Sequence, residues 1–297
     1  MILLNGKELA NRIKDELREE VTKMKQEGKD VCLAVIKVGN DHASSVYVNN
    51  KKKACDYIGI KSEIYYLDDT GPAFAIRNAL FSLINTLNND KNIHGILVQL
   101  PLPDFIDERE VLSRIDPAKD VDGFHESNVG KLMIGTDTFV PCTAKGIIEL
   151  LKANDIQIEG KHCVVVGRSN IVGKPVAMEL LRENATVTIC HSKTRGLEYI
   201  CRNADILICA IGKSKFFNHC YIWPGTVVVD VGIHRLEDGS LCGDVDFDDI
   251  SDIYGKITPV PGGVGPMTVA MLMRNVIDAA KRQRSRERSE PSEAAKR

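Results

Sequence analysis

The sequence has no HExxH, no CxxC and no Cys/His cluster, so nothing in it points to a metal site or a dithiol redox motif. Its nine cysteines are an odd number without regular spacing. Most lie inside apolar runs, as Cys32, Cys163, Cys190 and Cys209 do. That pattern fits buried, reduced thiols in a cytoplasmic protein better than disulfides. An excess of one charge is also missing, since the formal net charge is −2 over 297 residues. This balance gives no reason to expect nucleic acid or a membrane as partner. No apolar run approaches membrane-spanning length, and the start, Met1 to Leu9, turns polar too soon for a signal peptide. No internal repeat is visible beyond a similar architecture in the two halves.

What is present reads as an α/β protein of two domains. Hydrophobic residues make up 43% of the chain and charged residues 27%, and the length suits about two domains. Leu9, Ile13, Leu17, Val21 and Met24 fall on one face of a helix over residues 7–27. A buried strand follows at Cys32–Val38, then a helix over 44–57, a strand at 62–67, a helix over 74–87 and an apolar strand at 95–100. This β-α-β-α-β order predicts a parallel sheet. Residues 101–122 are rich in Pro and Asp, which marks a functional loop or a boundary. A helix over 143–152 leads into a second doubly wound sheet, with strands at 163–166, 186–190, 205–211 and 227–233. Pro259 to Pro266 opens a last helix over 267–281, with Pro266 in the first turn, where proline is tolerated. From Lys281 onward there are seven basic and three acidic residues and no large apolar side chain. That composition predicts a solvated, disordered tail.

The richest stretch is Cys163 to Pro175. Val164–Val166 fits a buried parallel strand, Gly167 breaks it, and Val176, Leu180 and Leu181 begin a helical pattern. A strand, a glycine turn and a helix make a nucleotide phosphate site, because glycine lets the backbone approach and the first helical N–H groups face an anion. The spacing is not GxGxxG, so the motif alone is of moderate specificity. Sites selecting NAD place a carboxylate at the end of the second strand. Here that end reads His191-Ser192-Lys193-Thr194-Arg195, and Arg168 lies in the first turn. A hydroxyl among cations suits a 2′-phosphate, so NADP is expected over NAD.

In the first half, Tyr47 and Lys51 are four apart on a predicted helix and share a face. A Tyr-x-x-x-Lys pair also marks short-chain dehydrogenases, but there it follows the cofactor glycines, and here it precedes them. Of Lys51, Lys52 and Lys53, only Lys51 has the offset that pairs it with Tyr47. Gln99 ends an apolar strand, where ligands of open parallel sheets collect. Asp120 and Asp122 are two residues apart, and either caps turns or accepts hydrogen bonds from an amino-substituted heterocycle.

Together these segments resemble the bifunctional methylenetetrahydrofolate dehydrogenase/methenyltetrahydrofolate cyclohydrolase family. The resemblance is carried by Tyr47-Val48-x-x-Lys51, Gly95 through Pro103 with its Gln99-Leu100-Pro101-Leu102-Pro103, Lys119 through His125, Pro141-Cys142-Thr143, Gly167 through Pro175 and Pro259 through Thr268. They stand in the family's order over residues 1 to about 282. Ala144 departs from the proline the family often has there, at a position that touches no chemistry.

The resemblance implies two α/β domains flanking a cleft, the C-terminal one Rossmann-like and doubly wound. Residues 1–119 with 268–282 would bind folate, 120–267 would bind NADP, and 283–297 would be the disordered tail. Lys51 would be catalytic and held by Gln99, and Tyr47 would stack on the folate ring. Ser44 and Asp122 would contact the substrate, Asp122 at the pterin amino edge, with Gly262, Gly263 and Pro266 lining the substrate side. Gly167, Arg168, Ser169, Gly173, His191, Ser192, Ile233 and Thr268 would hold NADP. It also implies a cytoplasmic homodimer acting on tetrahydrofolate derivatives, in one-carbon metabolism that feeds purine and amino-acid biosynthesis.

The expected chemistry has two steps. A hydride leaves the methylene bridge of 5,10-methylenetetrahydrofolate for NADP, which needs positioning and little acid–base work. Water then adds to the methenyl carbon and the ring opens to 10-formyltetrahydrofolate, which needs a proton shuttle. Competing readings fit less well. A monofunctional dehydrogenase would not need Lys51 and Gln99. A dehydrogenase of small acids leaves the Gln99–Pro103 and 119–125 segments unexplained. A non-catalytic nucleotide sensor would be expected to have lost Lys51, Gln99 or Asp122.

Overall fold

The computed structural model describes residues 1–253 and 255–289. The strands are β1 (Ile2–Leu3), β2 (Cys32–Val38), β3 (Lys61–Leu67), β4 (Gly95–Val98), β5 (His162–Val166), β6 (Thr186–Cys190), β7 (Ile206–Cys209), β8 (Val227–Asp230), β9 (His234–Arg235), β10 (Leu241–Cys242) and β11 (Lys256–Ile257). The helices are α1 (Gly6–Gln26), α2 (His42–Ile58), α3 (Ala73–Asn89), α4 (Glu108–Leu112), α5 (Glu126–Ile134), α6 (Cys142–Ala153), α7 (Gly173–Arg182), α8 (Leu197–Arg202), α9 (Phe247–Ile250) and α10 (Val264–Ser289). They group into two compact units, one of residues 13–129 with 272–289, the other of residues 1–12 with 130–271.

In the first unit β2 is central in a three-stranded parallel sheet of order β3-β2-β4. Every residue of β2 is buried, as expected for a strand covered on both faces. Cys32, Ala34, Ile36 and Val38 form one apolar cluster with Ile76, Leu80, Ile84 and Leu87 of α3. The period of two therefore turns Leu33, Val35 and Lys37 to the opposite face. Residues 101–122 contain the short helix α4, and Asp120 bridges Ile96 beside β4. α10 is tied to this unit through Asn275, whose Nδ2 donates to Val121 O at 2.9 Å.

The second unit holds a six-stranded sheet of order β1-β11-β8-β7-β5-β6. Every pairing in it is parallel. The strand order reverses at β5, with β6 on one side and β7 then β8 on the other. Such a reversal opens a crevice at the carboxyl ends of the strands.

Three features differ from the sequence expectations. Residues 1–12, through the pairing of β1 with β11, and residues 268–271 group with the second unit, and residues 120–129 group with the first. Two-residue strands are too short to leave a hydrophobic period, so β1 and β11 are silent in the sequence. The third is the tail, expected to be disordered from residue 283. Instead α10 continues through Ser289, with Gln283 Nε2 donating to His94 O at 2.7 Å and Arg284 donating to Asp30 O. Polar side chains hold this last part of the helix, which a search for apolar periodicity passes over. The remainder of the expected tail, residues 290–297, lies outside the described residues.

Candidate active site

In the first unit the site is built on α2 and the end of β4. Asp41 caps α2, its carboxylate accepting the Ser44 N–H at 2.6 Å. Ser44, Tyr47 and Lys51 are spaced three and four apart and share a helix face. Ser44 is buried, Lys51 is half-buried, and Lys52 and Lys53 are exposed. The Tyr47 ring is 44% exposed and stacks on no aromatic ring among the described residues. Gln99 follows β4, its N–H donating to Ile36 O at 2.8 Å. Its Nε2 donates to Leu100 O at 2.6 Å, which turns Oε1 toward Lys51, and Lys51 Nζ donates to that oxygen at 2.9 Å. The next peptide, Leu100–Pro101, is cis. The Gln99 hydrogen bond gives a flexible lysine one defined position at the carboxyl end of the sheet.

The two aspartates take different places. Asp120 is buried and accepts from His125 N and Asn128 Nδ2, both at 2.8 Å. Burial pushes its carboxyl above the usual range despite these donors. Asp120 therefore shapes the turn. Asp122 sits half-buried on that turn, just before Gly123 with φ +73°.

In the second unit the β5–α7 turn lies between two neighbours. Gly167 N donates to Cys190 O of β6 at 2.9 Å, and Ala210 N, after β7, donates to Val166 O at 2.9 Å. Gly167 has φ +139°, and a Cβ there would collide with the Ala210 carbonyl. A Cβ at Gly173 would collide with the Gly167 carbonyl. Ser169 Oγ accepts the N–H groups of Val172 at 3.1 Å and Gly173 at 3.3 Å, capping the start of α7. Because Val166 is in register with Cys190, Arg168 and Ser192 leave adjacent strand ends. His191 is half-buried, its Nδ1 accepting Lys193 N at 3.1 Å. Arg168, Ser192, Lys193 and Arg195 are exposed, and the three cations make no ion pair among the described residues. Glycine at the two tight positions of the turn, a helix N-terminus and cations unpaired among the described residues fit a phosphorylated dinucleotide.

The remaining residues of the motif list are also in this unit. Gly262 has φ +111°, and its carbonyl accepts Lys7 N at 2.8 Å. A Cβ at Gly263 would sit 2.6 Å from Pro259 O. Pro266 lies in the first turn of α10, where no helical N–H is lost. Thr268 Oγ1 bonds Thr143 Oγ1 at 3.1 Å, and Ile233 is 44% exposed.

Sequence reasoning missed a carboxylate network beneath these loops. Asp244 is fully buried and accepts from Ile211 N at 2.7 Å, Gly212 N at 3.0 Å, Lys213 N at 2.9 Å and His234 Nε2 at 2.8 Å. Asp230 accepts from Gly232 N at 3.0 Å and from Asp244 N and Val245 N at 2.9 Å. The loops after β7 and β8 are thus held by two side chains. The available signal was an aspartate closing the apolar run Val227–Val229, with a second one in Gly243-Asp244.

A family model described as tetrahydrofolate dehydrogenase/cyclohydrolase, catalytic domain, matches residues 4–122. The NAD(P)-binding domain model of that family matches residues 141–284. The chain is 58% identical over 280 residues to Bifunctional protein FolD of Agathobacter rectalis, spanning 94% of this chain and 99% of that protein. The bifunctional FolD methylenetetrahydrofolate dehydrogenase/cyclohydrolase of Campylobacter jejuni has a similar crystal structure. Its TM-score is 0.91 at 50% identity, over 95% of this chain and 99% of that one. The Trypanosoma brucei methylenetetrahydrofolate dehydrogenase-cyclohydrolase, solved with NADP cofactor and an inhibitor, has a TM-score of 0.89 at 38% identity, over 95% and 98%.

Proposed function

This chain belongs to the tetrahydrofolate dehydrogenase/cyclohydrolase family, and from that premise we propose how its residues divide the two reactions. It is an NADP-dependent methylenetetrahydrofolate dehydrogenase and methenyltetrahydrofolate cyclohydrolase. It oxidises 5,10-methylenetetrahydrofolate to the methenyl form and hydrolyses that to 10-formyltetrahydrofolate. The observation that carries the assignment of residues is the Lys51 Nζ to Gln99 Oε1 bond of 2.9 Å.

Lys51 moves the proton in the cyclohydrolase step. Water gives up one proton as its oxygen adds to the cationic methenyl carbon. The hydroxyl so formed then loses its remaining proton to become the formyl C=O, while the ring nitrogen gains a proton as its bond to that carbon breaks, so one proton is released overall. Gln99 holds the Lys51 amine in place for these transfers. Tyr47 offers its exposed ring as a stacking surface for the pterin. Asp122 accepts from the pterin amino edge, and Ser44, Gly262, Gly263 and Pro266 complete the substrate contacts. When bound, NADP supplies the hydride acceptor. Arg168, Ser169 and Ser192 take its phosphates, while Gly167, Gly173, His191, Ile233 and Thr268 shape the surface against it.

We also propose a cytoplasmic homodimer that feeds purine and amino-acid biosynthesis. Seven of the nine cysteines are buried and all nine are free, which suits a reducing compartment. Among the described residues β3 pairs with β2 alone, and Tyr66 at 64% and Phe74 at 67% exposure offer apolar surface near that edge. Light scattering should then give twice the 32.8 kDa chain mass.

The test is one sample with NADP and 5,10-methylenetetrahydrofolate, following NADPH and 10-formyltetrahydrofolate separately. Both should form, with much slower turnover on NAD. In Lys51→Met, methenyltetrahydrofolate should accumulate at the uncatalysed hydrolysis rate. Unchanged formyl product in that variant would remove Lys51 from the mechanism.

A further inference from the structure

Lys37 is the one charged residue in β2, and it is 3% exposed. A buried ammonium with three N–H donors ordinarily demands a carboxylate or several acceptors. Here Nζ makes a single hydrogen bond, to Ser45 Oγ at 2.7 Å, and no ion pair among the described residues. A methionine would fill the same volume without the desolvation penalty, so the charge is a liability for folding.

Its position explains why it is useful. Lys37 faces away from α3, toward the side of the sheet on which α2 lies. Ile36 and Val98 are register partners in β2 and β4, so Lys37 is the cross-strand neighbour of Gln99. Both side chains reach α2, Lys37 at Ser45 in the first turn and Gln99 at Lys51. Ser45 Oγ in turn donates to Asp41 O at 2.9 Å, at the cap of the helix. The two ties are six residues apart, about 9 Å along the axis. Val48, Cys55 and Ile58 seat the helix by burial, and the two polar ties add a defined rotation and register at its first turn and at Lys51.

We propose that Lys37 is a positioning residue for the cyclohydrolase step, holding α2 through Ser45 so that Lys51 meets its substrate in one geometry. This rests on the role given above to Lys51. Misplacement of a proton-transfer group by a fraction of an ångström is enough to slow a reaction about tenfold or more. The dehydrogenase step asks for little acid–base work and should feel the change much less.

The experiment compares Lys37→Met, Ser45→Ala, their double variant and Lys51→Met in the full-length enzyme, reading kcat and KM for each activity and the thermal midpoint. Lys37→Met should keep or raise the midpoint, lower cyclohydrolase kcat about tenfold and change dehydrogenase kcat no more than about threefold. Ser45→Ala should show the same split in the two kcat values, with a lower midpoint because the buried ammonium loses its partner. The double variant should be no worse in kcat than either single one, since both remove the same tie. A purely structural role would lower the midpoint and both activities together. The inference is overturned by that result, by cyclohydrolase kcat within twofold of wild type in Lys37→Met, or by additive losses in the double variant. If Lys51→Met itself keeps cyclohydrolase activity, the failure belongs to the role of Lys51 instead.

Discussion

Asp230 ends β8 with a carboxylate that is 3% exposed and surrounded by backbone donors. Burial outweighs these three N–H groups and pushes its carboxyl up to about 6. The folded state therefore holds this proton more tightly than the unfolded chain does. The stability it contributes is fully present below about pH 4 and is lost as the pH rises through about 6. Between pH 4 and 7, wild type should lose about 2 kcal/mol relative to Asp230→Asn, which carries no titrating group there. Urea unfolding of both proteins at several pH values measures the difference, and a constant gap would show that Asp230 titrates like a surface carboxylate. Several side chains of the site were legible by type and spacing alone. Tyr47 and Lys51 are four apart because a helix needs that spacing to present both on one face. Asp120 was ambiguous, because a capping aspartate and a ligand-binding one have the same neighbours in sequence, and only burial against His125 and Asn128 distinguishes them.

The β5–α7 turn and α10 show how much of an element the pattern reveals. The Cys163–Pro175 segment announced a strand, a turn and a helix, since the change from β-branched residues to helical spacing is local. Its glycines are required by the approach of Ala210 and of the turn's own backbone. α10 is the opposite case. Its apolar stretch was readable to residue 281, but its last turns are held by Gln283 on His94 and Arg284 on Asp30, partners about 190 and 250 residues earlier in the chain. Removing residues 283–297 should lower the unfolding free energy by about 2 kcal/mol, through these two hydrogen bonds to carbonyls. A shift in the urea midpoint is the measure, and a disordered tail would give none.

The proposed place of NADP on the glycine turn of the second unit gives a thermodynamic test. NADP at about 100 times its Kd should stabilise the protein by about 2.7 kcal/mol, since it binds the folded form alone. Lys51→Met should show the same thermal shift with NADP while losing cyclohydrolase turnover, because Lys51 belongs to the unit that does not hold the glycine turn. A lost shift would mean that Lys51 supports folding of the cofactor site. The alternation of strands and helices, the two parallel sheets, the glycine turn and the cations at the end of β6 were all written in local order along the chain. They follow from periodicity, from backbone freedom and from the charge types at one strand end, which neighbouring residues settle among themselves. Pairing β1 with β11, seating Lys37 beside Gln99 and hanging two loops on Asp230 and Asp244 were decided only when distant segments met. Burial, register and hydrogen-bond partners are properties of that meeting, and no window of sequence contains them.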